Sequence, residues 1–534
     1  MNTLNGTQGR SMTESLKLAI VGGGSVAVSF LAQFLRAWPG PVAGLDAGRR
    51  LEVVLFEPRA EVGPGTAYQD DSASNLLNIP VGRMSALARV PGDFLDWLRA
   101  RDPAWLREQG VDEATPSSFL PRPVFGHYLR DLHRDCLALA ARKGVRVERV
   151  AAAVVGVWPA RIEGEGGGDG LGAIVLAADG TRIDAHRVVL CNGNLPSTAF
   201  EALGALPGYF NSPYPVADLT ARIGADDAVA IVGTSLSAID AIAALAARGH
   251  RGPVFSVSRN GRLPSVRSPH NRTVKLPDLP LPEPDGRVTL DGVLDSLRRA
   301  LREEGGIEEP DDILGLPGPA RTALDAEIAR SQAGPRPWQA VAAATNDRIE
   351  HIWHALDDSE RRRFHRDWRT LWMARRATFP MRNALTVQGL LKRGQLRVEA
   401  GFRDVRYDAA RGLFEIACGT AEGGGTLGAP WLVNATSFSM DVEGTSDPLV
   451  KRLLADGHAR AHPLGGFDQD FETGCLRDAD GRIVSQVSVL GSLAAGTYFW
   501  TTSMEVNARL ALGQAERLAR EMRVAMERPM TRTA

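Results

Sequence analysis

The chain has little cysteine, almost no net charge and no long apolar run, and each shortage removes a class of protein. Only Cys136, Cys191, Cys418 and Cys475 occur in 534 residues, with no Cys-x-x-Cys pair among them. That pattern speaks against a disulfide framework, a zinc ribbon or a flavin-coupled disulfide centre, and suits the reducing cytoplasm. Lys and Arg number 62 against 63 Asp and Glu, a net charge of -1, so no global field draws the chain to nucleic acid or to a membrane surface. No segment reaches membrane-spanning length, and no basic region followed by an apolar core stands near the N-terminus. The ten histidines show no ligand spacing. His351 and His354 sit three apart but lack further partners, so no metal site is expected. A Ser-His-Asp or Cys-His signature is likewise missing.

What is present is an ordinary globular composition, 44% hydrophobic and 23% charged, in a chain too long for one core. Residues 1–15, rich in Asn, Thr, Gly and Ser, read as a loose leader. Leu16 to Val21 is a short apolar run of the kind a buried parallel strand needs. It stops at Gly22-Gly23-Gly24-Ser25, a helical pattern follows, and a second apolar run, Leu51 to Phe56, ends at Glu57. The same order recurs: Val229 to Val232, a turn at Gly233-Thr234-Ser235, an Ala-rich helix to about Arg248, and a strand Val254 to Val257 ending in Ser258-Arg259. Further strands are expected at 145–150, 187–191, 396–399 and 431–435. Short β stretches should flank the Gly-rich run EGEGGGDG, and a long amphipathic helix should span 504–526. The fold class is therefore α/β: two Rossmann-like units, the second inserted in the first, with a mainly helical insertion. The expected boundaries are 16–210 and 385–534 for the first unit, 211–275 for the second and 276–384 for the helical part.

The glycine turns carry the chemistry. Gly22 permits a tight strand-to-helix turn, Gly24 removes the Cβ that would block a pyrophosphate, and Ala27 allows close helix–sheet packing. Phosphate oxygens would then face the free N–H groups of Ser25 and Val26 at a helix N-terminus, and Glu57 would accept from ribose hydroxyls. The long spacing from turn to acid implies a loop inserted around Trp38 to Gly48. In the second turn Gly233, Thr234 and Ser235 are all small. Its closing strand ends in Ser258 and Arg259 rather than an acid, which suits a 2′-phosphate and hence NADPH over NADH.

In these motifs and several others the chain resembles the two-dinucleotide, FAD-NAD(P)-binding flavoproteins. The matching pieces run in order from Leu18 to Ala511: LAIVGGGSVA, FEPRAEVGPGTAY, LLNIPVGRMSA, PRPVFGHYL, VVLCNGN, VAIVGTSLSAIDA and GTYFWTTSMEVNARLA. The resemblance implies FAD at the first turn, on Gly22, Gly24, Ser25 and Glu57, with Asn78, Met84 and Ser85 near the flavin. Asn192-Gly193 resembles the strand end that closes such an FAD site, and Asn434-Ala435-Thr436 a second copy of it. A Gly-Asp pair common late in flavoproteins reads Gly491-Ser492 here, and a Trp-Glu pair reads Trp500-Thr501.

Branches of the resembled family include N-hydroxylating monooxygenases, some acting on aspartate. They imply NADPH reduction of FAD and oxygen transfer from a peroxyflavin to the nitrogen of a small amine or amino acid, with O₂ as co-substrate. No protein nucleophile is then required. An NADPH-linked flavin oxidoreductase without oxygen transfer and a non-catalytic dinucleotide binder are the alternatives. Arg267, Arg375 and Arg382 are candidates for gripping a substrate carboxylate. The rest of the run Arg361, Arg362, Arg363, Arg366, Arg369 and Arg376 reads mainly as a solvated helix face.

Overall fold

The computed structural model describes residues 15–40, 50–161, 170–276, 286–307, 309–420 and 423–527. The expected leader, most of the Trp38 to Gly48 loop and nearly all of the EGEGGGDG run lie outside these residues. Strand β1 (Ser15–Val21), helix α1 (Ser25–Ala37) and strand β2 (Arg50–Phe56) form the first unit's opening, with β1 and β2 parallel and Leu18 beside Val53. They sit in a six-stranded sheet ordered 475–477, 483–489, 187–190, β1, β2, 145–150.

Alternation along the strands decides what covers each face. Leu18, Ile20, Val53 and Leu55 point to one side, where α1, the Arg122–Arg142 helix and the Met504–Glu527 helix bury them. Ala19, Val21, Val54 and Phe56 point to the other, against an antiparallel three-stranded meander (154–161, 171–177, 182–185) and the Pro448–Ala455 helix. Both faces are dry at the inner end of β1, which matches its unbroken apolar stretch Leu18 to Val21.

The second unit repeats this plan. Its five parallel strands run 396–399, 254–257, 229–232, 431–434, 209–210. Val229, Ile231 and Val433 meet helices 216–222, 236–247, 320–333 and 381–392, while Ala230, Val232 and Leu432 meet a second meander (402–408, 413–420, 423–429). Two expectations are corrected here. Strands 396–399 and 431–434, assigned above to the first unit, pair with strands 254–257 and 229–232 of the second. The helical insertion is also not independent, because its Leu324 and Ile328 belong to the second unit's core. Short strands carry no marker of which sheet they join. Pairing partners settle that.

A buried ion cluster fastens the helical layer. Oε2 of Glu327 accepts from Arg336 Nη1 at 2.6 Å, Ser265 Oγ at 2.7 Å and the Val266 backbone N–H at 3.1 Å, and its Oε1 accepts from Arg375 Nη2 at 2.7 Å. Burial alone would raise the Glu327 pKa, but the Arg336 hydrogen bonds and the Arg375 and Arg336 charges outweigh it and hold the pKa at about 2. Removing one partner of such a cluster leaves uncompensated buried charge, at a cost of about 3–5 kcal/mol. Glu327→Ala should therefore lower the urea midpoint by a corresponding amount. Because the folded pKa lies below the unfolded one, Glu327's contribution is complete above pH 4.5 and is lost as pH falls toward about 2. Unfolding midpoints followed by circular dichroism across that range should show a fall in the parent chain that is shallower in Glu327→Ala.

Candidate functional site

Two strand-to-helix turns open into one cleft of about 1500 Å³. That exceeds the roughly 300–1,000 Å³ of a single small-ligand pocket, so the space admits more than one ligand of that size.

At the first turn, Gly22 has φ +95° and its N–H donates to the Phe56 carbonyl at 2.8 Å. A Cβ there would stand 2.3 Å from the Cys191 carbonyl oxygen, so only glycine lets β1 and strand 187–190 end side by side. Gly24 differs: a Cβ there would meet only the Gly65 Cα, at 3.7 Å. No side chain caps α1, which leaves its N-terminal N–H groups at the cleft wall formed by Gly24, Ser25 and Val26. Glu57 is buried, its Oε2 accepting from the Gly23 N–H and its Oε1 from the Arg59 N–H, both at 2.8 Å. The acid thus braces the turn while lining the cleft.

The second turn reproduces the first in backbone detail. The Gly233 N–H donates to the Val257 carbonyl at 2.8 Å, and a Cβ on Gly233 would stand 2.5 Å from the Ala435 carbonyl oxygen. The Ala435 N–H donates to the Val232 carbonyl at 2.8 Å, as the Cys191 N–H does to Val21 at 2.7 Å. Ala435 therefore occupies in the second unit the place of Cys191 in the first. Thr234 Oγ1 donates to the Arg262 carbonyl at 2.6 Å and to Ser258 Oγ at 3.0 Å, tying the turn to the end of strand 254–257.

The two units are held at a set spacing by a polar bridge. Arg122, at the start of its helix, donates to Asp240 at 2.7 Å, to the Tyr214 hydroxyl at 3.2 Å and to the Leu76 carbonyl at 3.2 Å. The Arg122–Asp240 contact crosses from the first unit to the helix that follows Gly233. Above α1, Ser29 Oγ donates to the Ala86 carbonyl at 2.6 Å and Gln33 Oε1 accepts from the Ala88 N–H at 3.0 Å. These bonds pin the segment that carries Met84.

Of the residues singled out by sequence, Gly22, Gly24, Ser25, Val26, Glu57, Asn78, Met84, Asn192, Gly193, Gly491, Gly233, Thr234, Ser235, Ser258 and Arg259 all line this one cleft. Asn192 Oδ1 is buried without a hydrogen-bond partner, and a Cβ on Gly193 would meet nothing within 4 Å. Both are open places for a ligand.

Four residues do not line the cleft. Ser85 turns inward, its hydroxyl donating to the Leu87 and Val90 carbonyls at 3.1 and 2.8 Å. Arg375 is consumed by Glu327 and by the Asp312 and Ile313 carbonyls, each at 2.7 Å. Arg382 is exposed beside a separate small cavity with Asn383 and Arg393. Arg267 stands outside the cleft lining, half-buried. The arginine run reads in the sequence mainly as a solvated face, and the structure divides it. Arg363 and Arg366 are surface partners of Asp291 and Asp367, whereas Arg369 lines the cleft. Burial, then the neighbouring Arg259 charge, lowers the Arg369 pKa, and among the described residues neither guanidinium has a carboxylate partner. A helical period cannot show which arginine of a basic run turns inward.

Residues 19–195 match the family model described as FAD-NAD(P)-binding. This segment is an FAD-NAD(P)-binding unit. Among solved structures, the chain is similar to the reduced form of ornithine hydroxylase from Pseudomonas aeruginosa, at 14% identity over 95% of this chain and 100% of that one, with a TM-score of 0.55. It is also similar to L-lysine 6-monooxygenase from Pseudomonas syringae, at 14% identity over 95% and 99% of the two chains, with a TM-score of 0.53. At such identity the likeness is one of fold. No curated protein matches the sequence.

The two glycines should separate in a stability assay. Gly22→Ala forces a disfavoured φ, costing on the order of 1–3 kcal/mol, and sets a methyl against a backbone oxygen. Its urea midpoint should fall well below that of Gly24→Ala, which should match the parent.

Proposed function

We propose that the protein is an FAD- and NADPH-dependent monooxygenase that oxygenates the nitrogen of a small amine or amino acid. The observation that carries this reading is the single cleft joining two duplicated glycine turns. It gives one nucleotide access to the other at the junction of the units. FAD suits the first turn: an uncapped helix N-terminus faces the space above Gly24, Glu57 stands at the end of β2, and Asn192 Oδ1 is left without a partner. NADPH suits the second, where Gly233, Thr234 and Ser235 leave room and Arg259 and Arg369 face the cleft without carboxylate partners. When bound, FAD reduced by NADPH would activate O₂, one oxygen atom of which goes to the amine nitrogen and the other to water. The chain's own residues bind, orient and exclude water. Gly491 and Ser492 close the far side of the first site, with Ser492 Oγ hydrogen-bonded to Asn194 Oδ1. Arg122, Asp240 and Tyr214 keep the two sites in register. The similarity in fold to ornithine and lysine oxygenases supports this reading.

A charge-assisted hydrogen bond to a 2′-phosphate contributes roughly 1.5–3 kcal/mol. Arg259→Ala and Arg369→Ala should each raise the KM for NADPH about tenfold or more and leave NADH use nearly unchanged. Equal losses with both nucleotides would make these arginines structural. For the reaction itself, NADPH consumption with amino acids and amines should be coupled to a hydroxylamine or more oxidised nitrogen product. Fast electron transfer to a quinone or dye with no oxygenated product from any amine would replace this reading with that of a flavin reductase.

A further inference from the structure

Three arginines from separate segments converge where the helical layer meets the first unit: Arg83 in the Val81–Arg83 turn, Arg267 beyond the second unit's strands, and Arg376 at the end of helix Arg369–Arg376. The Arg267 backbone N–H donates to the Phe379 carbonyl at 3.0 Å, which sets Arg267 beside the segment that follows Arg376. Burial, then Arg83, lowers the Arg267 pKa to about 10; burial, then Arg267 and Arg83, lowers that of Arg376 to about 9.

Only Arg83 is neutralised. It donates to Glu505 Oε1 from Nε at 3.1 Å and from Nη2 at 2.6 Å, and to Asp347 at 2.8 Å. The other Glu505 oxygen accepts from Asn346 at 2.9 Å. Both carboxylates near the cluster are thus occupied. Among the described residues Arg267 and Arg376 have no ion-pair partner, and the Nε of each is buried without an acceptor.

Neither arginine side chain lines the cleft, but their chain neighbours do: Pro264 before Arg267, and Ala374 and Ala377 on either side of Arg376. The Arg376 guanidinium stands 5.7 Å from the Trp500 ring centre, and Trp500 precedes the lining residue Thr501, whose hydroxyl is buried without a partner. Both arginine side chains are half-buried rather than sealed. A half-buried guanidinium without an ion-pair partner opposes folding unless an anion arrives, even with Glu505 acting on Arg376 from a distance, and a planar guanidinium takes a carboxylate through paired hydrogen bonds.

We propose that Arg267 and Arg376 form an anion subsite just behind the cleft wall that takes the carboxylate end of the substrate and turns away diamines. That the anion belongs to the substrate rests on the function proposed above. The presence of an anion site rests on the unpaired guanidiniums alone.

The test uses the FAD-loaded full chain and three probes: succinate, 1,4-diaminobutane and inorganic phosphate. Calorimetry should show succinate binding and no binding of the diamine, with phosphate weaker than succinate. Arg267→Gln and Arg376→Gln should each weaken succinate at least tenfold. Without ligand, both variants should unfold at the parent's temperature or above it, since each relieves repulsion. Arg376→Lys, which keeps the charge and loses the fork, should also bind succinate more weakly. Succinate binding no tighter than diamine binding would overturn the proposal. So would phosphate binding more tightly than succinate, or glutamine variants that are destabilised while retaining succinate affinity. Oxygenated product is measured separately. Succinate binding without product from any amine would remove the proposed reaction and keep the subsite, whereas product from diamines without succinate binding would do the reverse.

Discussion

Two carbonyl oxygens, those of Cys191 and Ala435, stand where the Cβ atoms of Gly22 and Gly233 would have to be. This close approach makes the rest of the cleft possible. In each unit it lets the first strand and its parallel neighbour end at the same level, so the chain turns at once into a helix whose N-terminal N–H groups face open space. A larger residue at either glycine would push the strand ends apart and withdraw those donors. The apolar strands behind the turns, covered by helices on one face and a meander on the other, supply the rigidity that holds such tight contacts.

Electrostatics divides the helical layer into structural and available charge. Glu327 takes up Arg336 and Arg375, Glu505 takes up Arg83, and surface carboxylates take up Arg363 and Arg366. Among the described residues, Arg259 and Arg369 line the cleft by the second turn without carboxylate partners, and Arg267 and Arg376 stand without ion-pair partners behind its lining, by the junction with the first unit. Since net charge over the whole chain is close to zero, this local excess of cations arises from placement and not from composition. A cleft lined by glycine turns and unpaired guanidiniums is suited to ligands carrying phosphate or carboxylate groups.

Much of this was legible in the residues because the signals are local. An apolar run followed by Gly22-Gly23-Gly24, or by Gly233-Thr234-Ser235, specifies strand, turn and helix within a few residues, and both turns form where expected. Glu57 and Arg259 were placed by counting to the end of the next strand. The repeat of the strand end at Asn434-Ala435 was visible as a pattern, and its backbone geometry matches that at Cys191. The meander at 402–429 was not read, because its first strand is dominated by charged residues and its last by glycine, which hides the apolar alternation.

The sequence by itself determined that there are two dinucleotide-type turns, their glycines, and the acid or arginine that follows each. These are properties of segments shorter than a strand and a helix. Only the tertiary structure decided which strands complete which sheet, that one cleft joins both turns, and which arginines are neutralised. Arg375 and Arg376 are adjacent in sequence, yet one is locked to a buried carboxylate and the other has no ion-pair partner among the described residues. Neighbouring residues on a helix point about 100° apart, so what each one meets depends on elements far away in the chain.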